Sequence, residues 1–218
     1  MKNTLADVYI IESLDPDDEG NGRLEGVFLS HVLRLHGKNP IYQYVRNRQE
    51  FKRAVTAFGK SRYRYLHLSC HGAPKGLSTT NLEEIGFDEL ANMLQPHIKG
   101  RRLFVSACEM VHKALAKAII PQSGCYSVIG PTQKIAFTDS AVVWAAIYHL
   151  AFSEDSERMT RTNLLAKLKA ACALFDLSFA YFAKSDRYKR GYTDDLLRLS
   201  PSGSLHLPGN LHPKLTHT

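Results

Sequence analysis

Tyr65-Leu-His-Leu-Ser-Cys-His-Gly72 is an apolar run that closes on small residues and then on a histidine and a glycine, and Leu103-Phe-Val-Ser-Ala-Cys108 repeats the pattern with a cysteine at its end. A short apolar run bounded by small residues reads as a strand buried on both faces. Two strands ending in reactive side chains make the surrounding order of elements decisive. If helices separate them, the sheet is parallel and both ends lie on one edge.

The flanking sequence supplies that alternation. Val8 to Ile11 reads as a first strand, followed by an acidic, glycine-bearing stretch, Asp15-Pro-Asp-Asp-Glu-Gly-Asn-Gly22, that reads as a loop. Val27, Phe28, Val32 and Leu35 recur at helical spacing up to Gly37, a C-terminal cap with Pro40 beyond it. Ile41 to Val45 (strand), Phe51 to Phe58 (helix) and Tyr63 to Ser69 (strand) repeat the unit. Phe87 to Leu94 and Val111 to Ile119 read as helices on either side of the Leu103 strand, and Val128 to Gly130 ends another strand before a long helix beginning near Asp139. Met159 to Phe182 carries two further helical stretches. This order predicts an α/β sandwich of three layers, with a mostly parallel sheet covered by helices on both faces. One domain over residues 1–199 is expected, with an irregular tail over 200–218 punctuated by Pro201, Gly203, Pro208, Gly209 and Pro213.

Composition bounds the function classes. Of 218 residues, 44% are hydrophobic and 22% charged, which excludes global disorder. Cys70, Cys108, Cys125 and Cys172 are far apart and form no CxxC pair, which argues against a disulfide framework or a zinc ribbon and fits a reducing cytoplasm. The longest apolar stretch, Ala141 to Phe152, contains His149 and is too short for a bilayer, so no membrane partner is expected. A formal charge of +7 favours anionic partners, but Asp and Glu interrupt the basic region between Arg158 and Arg190, so nucleic acid is not the favoured one.

In open α/β sheets ligands bind at the carboxyl ends of the strands, which is where His71 and Cys108 would project. A cysteine followed directly by a helix, as expected for Cys108, meets the positive end of the dipole and unpaired N–H groups that favour thiolate. His71 can take the thiol proton and return it to a leaving amine. Gly72, lacking a side chain, can bring its N–H to a substrate carbonyl and, with the N–H of Cys108, form an oxyanion hole.

The residues Leu68-Ser-Cys-His-Gly72 and Val105-Ser-Ala-Cys108 resemble the caspase-like cysteine peptidases, and within them the bacterial CHAT-type domains related to separase; the resemblance spans roughly residues 6 to 152. It implies a His71–Cys108 dyad with the Gly72 N–H in the oxyanion hole, a protein substrate, and a role as an effector in bacterial defence or programmed cell death. No cofactor is expected, and because the chain has little room for a separate sensor domain, the trigger of a regulated peptidase is expected from a partner protein or a bound signal. The chain departs from the caspase signature: His71 and Cys108 are 37 residues apart rather than about 50, and Glu109-Met110 follows the cysteine where CHAT-type sequences often have Thr-Gly. Specificity for aspartate is therefore not implied. Related peptidases that cut after Arg or Lys pair that side chain with a carboxylate, which makes Asp139 a candidate for substrate binding; the competing reading is a helix N-cap.

Other residues have simpler readings. Cys70 should point away from the face that carries His71 and fill the core, as should Cys125 and Cys172; Trp144 and Tyr148, four apart on one helix, read as core. A metal bound by His67, His71, Cys108 and His112 is not favoured, because His67 and His71 on one strand lie about 13 Å apart. The sequence thus predicts a cysteine endopeptidase. Its alternative is a catalytically silent module that binds a protein partner or nucleic acid.

Overall fold

Val8-Tyr-Ile-Ile11 sends alternate side chains to two different cores: Val8 and Ile10 to one, Tyr9 and Ile11 to the other, all essentially buried. That two-sided burial is why the strand reads as a continuous apolar run rather than an alternating one. The computed structural model describes residues 4–197. Its strands are β1 (Leu5–Ser13), β2 (Ile41–Tyr44), β3 (Tyr63–Ala73), β4 (Gly76–Ser78), β5 (Glu84–Gly86), β6 (Arg102–Ser106), β7 (Ser127–Pro131), β8 (Phe179–Lys184) and β9 (Tyr192–Leu197). Its helices are α1 (Pro16–Gly20), α2 (Glu25–Leu35), α3 (Arg48–Lys60), α4 (Phe87–Leu94), α5 (Lys113–Ser123), α6 (Phe137–Glu154) and α7 (Arg161–Phe175).

The sheet runs β2-β1-β3-β6-β7-β8-β9. Its first five strands are mutually parallel, and β8 and β9 are antiparallel additions at one edge. Side chains of α3, α4 and α5, among them Phe51, Phe58, Leu90, Leu115 and Ile119, cover one face. On the other face Leu29 and Leu33 of α2, Trp144 and Ile147 of α6, and Leu164 and Leu168 of α7 pack on Tyr65, Phe104 and Ile129. The three-layer, mostly parallel α/β sandwich is the architecture the element order predicts.

Neighbouring strands β3 and β6 carry the site. They pair in parallel from Tyr65 opposite Arg102 to Ser69 opposite Ser106, so both run toward the same edge. Beyond Ser69, β3 continues into a small hairpin, where His71 pairs with Ser78 and Gly72 with Leu77 of β4. The tip is thereby held by backbone pairing after β6 has ended.

Four expectations are corrected. The acidic stretch after β1 is not wholly loop: Asp15 caps α1 by accepting from the Asp18 N–H at 2.8 Å, and Pro16 occupies the first helical position. Cys108 is not followed directly by a helix, because α5 begins at Lys113, capped by the His112 side chain; Met110 and Val111 are apolar because they are buried in the connecting turn. The second helical stretch before Phe182 is instead strand β8, whose alternate residues Phe179 and Tyr181, against Ala180 and Phe182, fill opposite cores. An apolar run buried on both faces has no period that tells strand from helix. Finally, Ala136 is the N-cap of α6, and Asp139 lies exposed in the first turn. The expected boundary at 199 and the tail over 200–218 lie outside the described residues.

Candidate active site

The site is built where alternation along β3 and β6 delivers polar residues to one face. Ser69 and His71, two apart on β3, share a side of the sheet, and Cys108, in the turn just beyond the end of β6, lines the same cleft as Ser106. His71 and Cys108 both line one cleft of about 100 Å³, with Glu25, Ser69, Ser106 and Ser140 deeper in it and Leu14, Ile135 and Phe137 on its walls. Cys70 is buried in the core under α3 and α4, as expected, but it also borders the cleft that His71 and Cys108 line.

His71 is 45% exposed and faces α1. Its Nε2 lies 2.9 Å from Asp18 Oδ2 and 3.3 Å from Asp15 Oδ2. Asp18 also receives Arg23 Nη1 at 2.8 Å. Burial acts most strongly on the Asp18 carboxyl and works upward, but hydrogen bonds and charge from Arg23 and His71 outweigh it and hold the group below the usual range. An ionised Asp18 accepts a proton-bearing Nε2, so the neutral ring keeps its lone pair on Nδ1. Both aspartates were read as loop residues. The Asp-Pro opening of a short helix, in which an aspartate caps and a proline starts the first turn, is the signal that could have placed them.

Cys108 is half-buried, whereas Cys70, Cys125 and Cys172 are buried. Its Sγ donates to the Ile135 carbonyl at 3.6 Å; among the described residues no hydrogen bond joins it to His71. The expected thiol–imidazole bond is therefore not formed in this arrangement, although both groups open on one cleft. Glu109 follows with φ of 55°, a left-handed conformation uncommon outside glycine, and its N–H is tied to the Gln133 carbonyl at 3.2 Å. Gly72 meets the nucleophile's backbone directly: a Cβ there would lie 2.6 Å from Cys108 O, 2.9 Å from Cys108 N and 2.8 Å from Ala107 Cβ. Only glycine lets the two strand tips approach this closely.

Below the mouth lies a polar network that sequence patterning did not reveal. Glu25 Oε2 accepts from Ser106 Oγ at 2.9 Å, and Glu25 Oε1 is 3.3 Å from His67 Nε2, whose Nδ1 meets Tyr148 Oη at 2.9 Å. Ser106 Oγ also contacts Ser140 Oγ at 2.6 Å. Beside it Glu12 accepts from Gly26 N–H and Tyr42 Oη, each at 2.8 Å, and burial, against those bonds, pushes its carboxyl up to about 7. Glu25 is 2% exposed yet lines the cleft, whereas Asp139 does not line it. Trp144 and Tyr148 are core residues, as expected, and burial raises the Cys125 thiol to about 12 and that of Cys172 to about 11.

The four residues weighed as metal ligands do not converge on one point, although His71 and Cys108 share the cleft. His67 is bonded within the network just described, and His112 spans from the α5 N-terminus to the Pro74 carbonyl at 2.8 Å. Asp15, Asp18 and His71 do bring one ligand atom each within 4.8 Å of one another, an arrangement that hydrogen bonding through Nε2 already accounts for.

The mostly parallel sheet with helices on both faces is a caspase-like fold. Two of the solved structures that share it are the following. The complex of Porphyromonas gingivalis RgpB pro- and mature domains superposes with a TM-score of 0.51 at 13% identity, over 78% of this chain and 43% of that one. A secreted C11 cysteine protease from Bacteroides thetaiotaomicron, in complex with an irreversible peptide inhibitor, gives 0.51 at 10% identity, over 82% and 66%. The chain thus spans less than two thirds of either. No protein-family model matches the sequence, and no curated protein is detectably similar to it. No helix among the described residues is long and apolar enough to cross a membrane.

Proposed function

We propose that the chain is a cysteine endopeptidase that forms an acyl-enzyme between Cys108 and a protein substrate. The observation that carries this reading is that His71 and Cys108 line the same cleft, with Gly72 against the Cys108 backbone and Asp18 holding the far nitrogen of the imidazole. His71 Nδ1 takes the thiol proton, sulfur attacks the scissile carbonyl, and the Gly72 and Cys108 N–H groups receive the oxyanion. The imidazolium then protonates the leaving amine, and water, deprotonated by the same nitrogen, releases the acid and restores the thiol.

The buried Glu25 carboxylate at the cleft floor, ringed by Ser69, Ser106 and Ser140, favours a cationic side chain before the cut. In this reading Glu25 takes the part that Asp139 holds in the sequence-based expectation. The resemblance to CHAT-type domains supports an effector role in bacterial defence or programmed cell death, released by an activating partner protein. A silent module is favoured by one observation, the bonding of Cys108 Sγ to Ile135 instead of to His71.

Co-expression of wild type or Cys108→Ala with proteins encoded beside it, followed by mass-spectrometric mapping of new termini, tests the proposal. New termini only with wild type, each following Lys or Arg, are expected. Identical termini in both reject the peptidase, and cuts after neutral or acidic residues reject the role given to Glu25.

A further inference from the structure

At the other end of β3 and β6 the sheet opens on a second cleft, of about 460 Å³, lined by Arg64, Arg102, Arg158 and Arg161 with Tyr126 and Thr160. Arg64 is the second residue of β3 and Arg102 the first of β6, so the strands that end in His71 and Cys108 begin here.

Arg102 is the informative member. It is 5% exposed, and its guanidinium lies 4.5 Å above the Tyr126 ring. Its Nη1 donates to Ser127 Oγ at 2.9 Å and Tyr181 Oη at 2.8 Å, and its Nη2 to the Met159 carbonyl. All three acceptors are neutral. Arg64 is likewise bound to uncharged oxygens, Thr4 Oγ1 at 3.0 Å, the Thr4 carbonyl at 2.8 Å and the Glu157 carbonyl at 2.7 Å. Arg158 is exposed, and its guanidinium has no bonded partner among the described residues. Arg161 alone meets a carboxylate, Asp195 Oδ2 at 2.7 Å. Residues 1–3 and 198–218 contain no Asp or Glu that could supply another.

A buried guanidinium bonded only to neutral oxygens has its N–H groups partly satisfied while its charge stays uncompensated, which is unfavourable unless an anion joins it. The first turn of α7, entered at Thr160 and Arg161, adds the positive end of its dipole to the same cleft. Several guanidinium forks around one space match the tetrahedral oxygens of phosphate better than a single carboxylate. The volume falls in the range of roughly 300 to 1,000 Å³ usual for small-molecule sites and exceeds what bare phosphate needs, and the Tyr126 ring offers aromatic surface.

We propose that this cleft binds a phosphorylated small molecule of nucleotide size, its phosphates held by Arg64, Arg102 and Arg158. The site is independent of the peptidase reading, since it shares no residue with the His71 cleft.

Calorimetric titration of the full chain with pyrophosphate, and separately with ADP, tests this. The variants are Arg64→Ala and Arg158→Ala, with Lys117→Ala as a control for lost surface charge. Saturable binding of both probes is expected, tighter for ADP, weakened about tenfold or more in each arginine variant and unchanged in the control. Absence of saturable binding, or equal weakening in the control, overturns the site. Equal affinity for the two probes overturns the nucleotide-sized ligand.

Discussion

His71 Nε2 lies 2.9 Å from Asp18 Oδ2, so the imidazole proposed as the base is oriented by a helix of only five residues that follows the first strand. The relationship commits one ring nitrogen to structure and leaves the other to chemistry, and it makes Asp18 a positioning residue whose removal should be felt without any contact to substrate.

Asp18→Asn should therefore lower peptidase turnover about tenfold or more while leaving KM close to wild type, because the ring loses orientation and not a substrate contact. Asp18 also has a pH signature. Its folded-state carboxyl is depressed, so its contribution to stability is present above the ordinary aspartate range and is lost as pH falls through the folded value. Acid unfolding of wild type and Asp18→Asn, followed by circular dichroism, should show the two stabilities converging at low pH.

Gly72→Ala should destabilise the fold by about 1 to 3 kcal/mol, because the three atoms nearest the new methyl, Cys108 O at 2.6 Å, Ala107 Cβ at 2.8 Å and Cys108 N at 2.9 Å, cannot rotate aside. Urea unfolding measures the loss. Gly86→Ala is the control: a Cβ there meets nothing closer than the Lys75 carbonyl at 3.9 Å, so that variant should stay near wild type.

Glu12 carries the opposite pH dependence from Asp18. Its carboxyl is raised from 4.5 to about 7, so the folded state holds a proton that the unfolded chain has released in that window. Stability should fall as pH rises from about 4.5 to about 7 and then level off, by about 3 kcal/mol at most from this group. In Glu12→Gln that decline should be absent. A wild-type decline no steeper than the variant's, in paired denaturant titrations across this range, would mean that Glu12 is ionised throughout.

The fold was largely legible because its central strands are short apolar runs separated by amphipathic helices, as in Ile41–Tyr44, Arg48–Lys60 and Tyr63–Ala73. His71, Gly72 and Cys108 could be singled out because parity along a strand fixes the face of a side chain, and the strand order did bring their tips together. What could not be read depended on contacts distant in sequence. Glu25 looks like an ordinary acidic residue in the first turn of a helix until Ser106 and His67, from strands far along the chain, close around it. The β8 strand was hidden by burial on both faces, and the turn after Cys108 by apolar residues that pack without helical geometry.

The central claim is that Cys108 is a nucleophile served by His71, and alkylation measures it most directly. Wild type, His71→Ala and Asp18→Asn are treated with limiting iodoacetamide at mildly acidic pH, and each cysteine is quantified by peptide mass spectrometry. Cys108 in wild type should label well ahead of Cys70, Cys125 and Cys172, whose thiols are raised by burial, and its rate should drop sharply in His71→Ala and less in Asp18→Asn. A Cys108 rate that is the same in wild type and His71→Ala would contradict the account, since exposure alone would then explain its reactivity.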